Sequence, residues 1–166
     1  MNKPEVLAPA GNWDCVRAAV ANGADAVYFG LEQFNARMRA DNFTLEDLGS
    51  LMPFLHKHGV RGYVTMNVLI FPAEFPQAFD YLNALNAAGV DGVIVQDMGL
   101  ADLISRQRKA GKWSIELHIS TQMTVSSPEA VRLVDELFDP QQIVLSRELS
   151  LREIEACAKA STKPIE

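Results

Sequence analysis

The segment His118-Ile-Ser-Thr-Gln122 is the most chemically loaded in the chain, because it sets an imidazole, two hydroxyls and an amide within five residues. On an extended strand His118, Ser120 and Gln122 share one face, and an imidazole that titrates near neutrality can give or take a proton there. A serine two residues from a histidine on one strand is not a nucleophile and its base, and no Gly-x-Ser-x-Gly elbow is present. A histidine satisfied within the core is the competing reading of His118. Arg147, in Ser146-Arg-Glu148, brings a guanidinium suited to two-point recognition of a carboxylate or phosphate, with a surface pair to Glu148 as its alternative. Asp97 follows Val93-Ile-Val-Gln96, and a carboxylate at that depth must be paired or used. It can equally cap a helix beginning near Gly99. Asn67 ends Tyr63-Val-Thr-Met before a Phe-Pro break, and Ala8-Pro-Ala-Gly-Asn12 reads either as a seat for an anion or as an ordinary strand-to-helix turn.

These residues need elements that end together. Three stretches open alike: Gly23-Ala-Asp-Ala-Val-Tyr-Phe-Gly30, Gly59-Val-Arg-Gly-Tyr-Val-Thr-Met-Asn67 and Gly89-Val-Asp-Gly-Val-Ile-Val-Gln-Asp97. Each reads as a glycine in a left-handed helix cap followed by a short strand. The glycines lie 36 and 30 residues apart, the length of one βαβ unit. Glu5–Ala8, Ser114–Ile119 and Gln142–Leu145 complete six strands. Phe75, Phe79, Leu82 and Leu85 mark one helix face, while Thr44 with Asp47, Ser127 with Pro128, and Ser150 with Glu153 read as helix starts. Glu32 to Asn42 is a longer polar loop of the kind that often carries function.

The chain has 166 residues, 48% of them hydrophobic, enough for one sizeable core and a single domain over 1–166. The fold class expected is α/β, a TIM-barrel-like set of (β/α) repeats with a parallel sheet. About six of eight units are present, because a closed barrel takes about 250 residues. Lys163-Pro-Ile-Glu166 reads as the start of a seventh strand, so the barrel is expected to be incomplete. An open, flavodoxin-like sheet is the structural alternative; a Gly-x-Gly-x-x-Gly turn for a dinucleotide is missing after the first strand. A net charge of −6 gives no long-range pull toward a phosphate backbone. Cys15 and Cys157 have no metal-ligand spacing and read as free structural thiols. No apolar run can span a bilayer and no leader is evident, so a soluble, cytoplasmic protein is expected.

Seven segments together resemble peptidase family U32: Glu5–Asn12, Gly23–Gly30, Phe34-Asn-Ala-Arg-Met-Arg-Ala40, Tyr63–Asn67, Val95–Asp97, His118–Met123 and Leu145-Ser-Arg-Glu-Leu149. The resemblance implies the N-terminal part of a U32-type barrel, truncated before the cysteine-bearing region that follows the seventh strand in that family. It further implies, for a full-length protein, a prephenate-dependent hydroxylase with a 4Fe-4S cluster. The substrate would be a tRNA uridine, an rRNA cytidine or a ubiquinone precursor. This fragment alone is expected to be inactive. Position and chemistry assign His118 and Asp97 to catalysis and Asn12, Arg37, Asn67, Gln96, Gln122 and Arg147 to substrate binding, with no metal ligand in the chain. The partners expected are a small dicarboxylate, RNA through downstream regions, and another copy covering an open barrel. The alternatives are a collagenase-like hydrolase and a noncatalytic subunit that needs a partner.

Overall fold

A computed structural model describes residues 4–36 and 41–166. Among the described residues six strands alternate with six helices: β1 (Leu7–Pro9), α1 (Trp13–Ala21), β2 (Ala26–Gly30), α2 (Leu48–Lys57), β3 (Arg61–Met66), α3 (Phe75–Ala87), β4 (Gly92–Val95), α4 (Met98–Lys109), β5 (Glu116–Ile119), α5 (Pro128–Phe138), β6 (Gln142–Ile143) and α6 (Leu151–Ala160). A 3-10 turn, Thr121–Met123, follows β5. All neighbouring strands are parallel and their order in the sheet is the order of the sequence. Sequential order belongs to a barrel wall; a doubly wound sheet reverses direction at a switch point, so the flavodoxin-like alternative is excluded. The result is an incomplete TIM-barrel-like half-barrel.

A seventh stave begins after α6. Ile165 bridges Ile143 in parallel, and Glu166 donates its amide to the Ile143 carbonyl at 3.0 Å. The joints between helices and strands follow from glycine: Gly23, Gly59, Gly89 and Gly111 all hold φ between 68° and 81°, where a side chain is strained. Helix starts also match their signals. Ser127 caps α5 with Pro128 in its first turn, and Ser150 with Glu153 forms a complete capping box on α6.

Strand alternation sorts side chains to two sides. Val27 and Phe29, Val64 and Met66, Val93 and Val95, Leu117 and Ile119 are buried under the helices. Gly62 lies on that side too, where an added Cβ would come within 2.9 Å of Met52 on α2. On α3 the buried stripe is Ala78, Tyr81, Leu82 and Leu85, with Phe75 and Phe79 half-buried at its edge. Three strands shift from their sequence-based bounds. β5 starts at Glu116 because the amides of Ser114 and Ile115 are taken by Asn86 Oδ1. β1 starts at Leu7 because Asp25 Oδ2 accepts the Val6 amide. β6 is short, although Val144 and Leu145 still donate to Ile119 and Glu166.

Candidate functional site

The inner face of the half-barrel opens into a cavity of about 480 Å³ at the carboxyl ends of the strands, within the usual range of small-ligand sites. Its deep part is mostly apolar, formed by Leu7, Tyr28, Ile94 and Val144, with Glu166 beside them. Its mouth is polar: Gly11 after β1, Thr65 and Asn67 at the end of β3, Ser120 and Gln122 after β5, and Arg147 after β6.

The β2–α2 loop closes one side of this mouth through a cluster of amides. Asn35 Nδ2 donates to Asn42 Oδ1 at 3.0 Å, and Thr65 Oγ1 reaches both Phe29 O at 3.2 Å and Asn35 Oδ1 at 3.3 Å. Asn67 Oδ1 accepts the Ala36 amide at 3.1 Å, tying β3 to the same loop. The cluster needs Gly30: a Cβ there would stand 1.8 Å from Asn35 Nδ2 and 2.7 Å from Asn42 Oδ1.

Below the cavity the inner face carries charge. Arg61 pairs with Glu5, reaches Glu116 at 3.7 Å, and stacks over the Tyr63 ring at 5.4 Å. Glu116 Oε2 lies 2.9 Å from His118 Nε2, and the His118 ring packs on Tyr63 with centroids 4.5 Å apart. The His118 hydrogen bond, outweighing burial, holds the Glu116 carboxyl below the usual range, with Arg61 adding to the effect. Burial pushes the Tyr63 phenol well up, so it stays a neutral donor to Glu5 Oε1 at 3.4 Å. Residues from β3 and β5 meet across β4 because Gly92 has no side chain; a Cβ there would lie 3.1 Å from the Tyr63 ring.

The sequence profile of peptidase family U32 matches residues 11–166. The chain belongs to that family. Among its relatives, tRNA hydroxylation protein P1 of Bacillus subtilis is 39% identical over 153 residues, covering 92% of this chain and 35% of that protein. A 23S rRNA 5-hydroxycytidine synthase of Escherichia coli is 38% identical over 162 residues, covering 98% of this chain and 23% of that protein. A collagenase of Porphyromonas gingivalis is 33% identical over 155 residues, covering 93% of this chain and 36% of that protein. This U32 chain therefore spans about a quarter to a third of the length of these curated relatives. The solved U32 peptidase Mk0906 superposes with a TM-score of 0.79 at 15% identity, over 98% of this chain and 67% of that one, a likeness of fold.

Within this U32 chain the residues singled out from sequence take different places. Asn67, Gln122 and Arg147 line the cavity. Arg147 has no ion-pair partner among the described residues, and Glu148 instead accepts a hydrogen bond from the Ser146 hydroxyl. Asn12 and Asp97 serve backbone: Asn12 Oδ1 accepts the Cys15 amide at 3.0 Å, and Asp97 accepts Leu100 N at 2.8 Å and Ile70 N at 3.3 Å. Gln96 is half-buried at the tip of β4, outside the cavity lining. His118 is 3% exposed, turned into the charged layer below. Arg37 lies outside the described residues. The sequence reading missed Asn35, Asn42 and Glu166 as cavity residues; alternation from Ile165 was the available signal for Glu166.

The described residues do not fit an iron–sulfur cluster. Cys15 is exposed on α1, Cys157 is buried on α6 with its thiol pushed up by burial, and no group of three or more His, Cys, Asp or Glu could hold a metal among the described residues. No helix among them is long and apolar enough to cross a membrane.

Proposed function

We propose that this chain is the N-terminal barrel part of a hydroxylase that modifies a pyrimidine of tRNA or rRNA, with a small carboxylate such as prephenate as its co-substrate at the strand tips. The observation that carries this reading is the chemistry of the cavity. Among the described residues its polar groups are amides, hydroxyls, a guanidinium without an ion-pair partner and a carboxyl, a set that grips an oxyacid. The histidines of the described residues face no nucleophile: His56 bonds Asp91, His58 the Phe54 carbonyl, and His118 Glu116. Peptide hydrolysis by a serine or cysteine with a histidine as its base needs such a pair. The two relatives with names from RNA hydroxylation, at 38% and 39% identity, support the same direction. Any 4Fe-4S cluster would take its cysteines from outside these residues and would supply the redox chemistry when bound.

Deleting the gene and analysing nucleosides from purified tRNA and rRNA by mass spectrometry tests this reading. One pyrimidine should lose a single oxygen atom, and the full-length gene should restore it while an Arg147→Ala copy should not. Unchanged nucleosides, together with gelatin cleavage by the purified full-length protein, would replace the proposal with a hydrolase.

A further inference from the structure

The loop between β3 and α3 holds an aromatic ring out in solvent. Phe71 is 65% exposed, while every other Phe, Tyr and Trp among the described residues is buried or half-buried. Its backbone is nonetheless fixed. The Phe71 amide donates to Glu74 Oε2 at 2.8 Å, the Phe71 carbonyl accepts the Glu74 amide at 2.8 Å, and Pro72 follows with a locked φ. One residue earlier, Ile70 is buried, and Asp97 Oδ2 accepts its amide at 3.3 Å, which ties this loop to the turn between β4 and α4. Leu69 and Met98 are exposed on those two tied segments, so the ring belongs to an apolar patch. The patch lies at the carboxyl end of the sheet, on the same loop as Asn67 of the cavity mouth.

We propose that Phe71, with Leu69 and Met98 beside it, is a stacking platform for an unpaired base of the RNA, an inference that rests on the RNA reading above. The two carboxylates on these segments, Glu74 and Asp97, are taken up by backbone amides, and neither segment carries a Lys or Arg. The patch therefore offers nothing to a phosphate. It offers a flat apolar surface, and every base has a face that stacks on one whatever the sequence. A chain of net charge −6 gains little from the phosphate backbone, so contact with RNA falls to groups of this kind. A loop fixed in advance also loses less freedom on binding.

The test is filter binding of end-labelled tRNA and rRNA fragments, purified from the deletion strain, to the full-length protein. Phe71→Ala should weaken binding about fivefold or more, the contribution of one stacked base. Phe71→Trp should stay within about twofold of the wild type. The slope of affinity against salt should be the same for all three proteins, because no phosphate contact is lost. Wild-type affinity in Phe71→Ala overturns the platform and leaves the RNA reading standing. An equal loss in Phe71→Trp, the result expected where the patch packs on protein, does the same. No RNA bound by the wild type overturns the platform as well, and the nucleoside analysis judges the RNA reading separately.

Discussion

Gly30 shows how one missing side chain sets the mouth of the cavity. Its φ is not left-handed, so the requirement is space: Asn35 and Asn42 occupy the volume a Cβ would need. Gly30→Ala should therefore push the amide cluster off the end of β2 and destabilise the fold by about 1–3 kcal/mol, the usual cost of overpacking. Denaturant midpoints at unchanged m-value check this, and a midpoint equal to wild type would mean the loop yields freely. Arg147 is the contrasting case, exposed and without an ion-pair partner among the described residues. Its replacement should cost binding of anions and almost no stability, since surface substitutions away from packed groups usually stay within about 0.5 kcal/mol.

At the scale of elements, Asp97 joins two of them: one carboxylate oxygen caps α4, and the other holds the loop after β3 through Ile70. Asp97→Ala should lose about 1 kcal/mol or more, because an N-cap is removed and a second amide is released. Asp97→Asn should keep the cap, and if it also keeps full activity Asp97 is a structural joint and not a proton carrier. Thermal melts of the two variants beside one activity assay decide it. The contrast explains what was legible in the sequence. Glycine caps, helix starts and the run of polar strand ends are local signals, so six units and the position of the cavity could be read from them. Asp97 bonding Ile70, or Tyr63 meeting His118 over Gly92, depends on how neighbouring strands are staggered around the curved wall. His118 looked like a site residue because alternation puts it on the face of Ser120, yet alternation gives no depth along the strand. The structure sets it one step lower, on Glu116.

At the scale of the whole molecule, the inner face carries two carboxyl groups whose shifts have opposite signs, and they predict opposite effects on acid stability. Glu116 is held below its ordinary range, chiefly by the His118 hydrogen bond. Its contribution is complete above the unfolded carboxylate value of about 4.3 and is lost as pH falls through the lower folded value. Glu116→Gln should thus flatten the fall in stability below about pH 5. Glu166 is pushed up by burial, so the folded state holds its proton more tightly than the unfolded chain does. Lowering the pH through that raised value adds stability, and Glu166→Gln should make the acid limb steeper. Denaturant titrations from pH 7 down to pH 3 on the two variants measure both slopes. Because the two groups sit on staves β5 and the nascent seventh, an acid limb left unchanged by Glu166→Gln would mean that Glu166 senses solvent alone, and one flattened as in Glu116→Gln would mean that its carboxyl is held below its ordinary range instead.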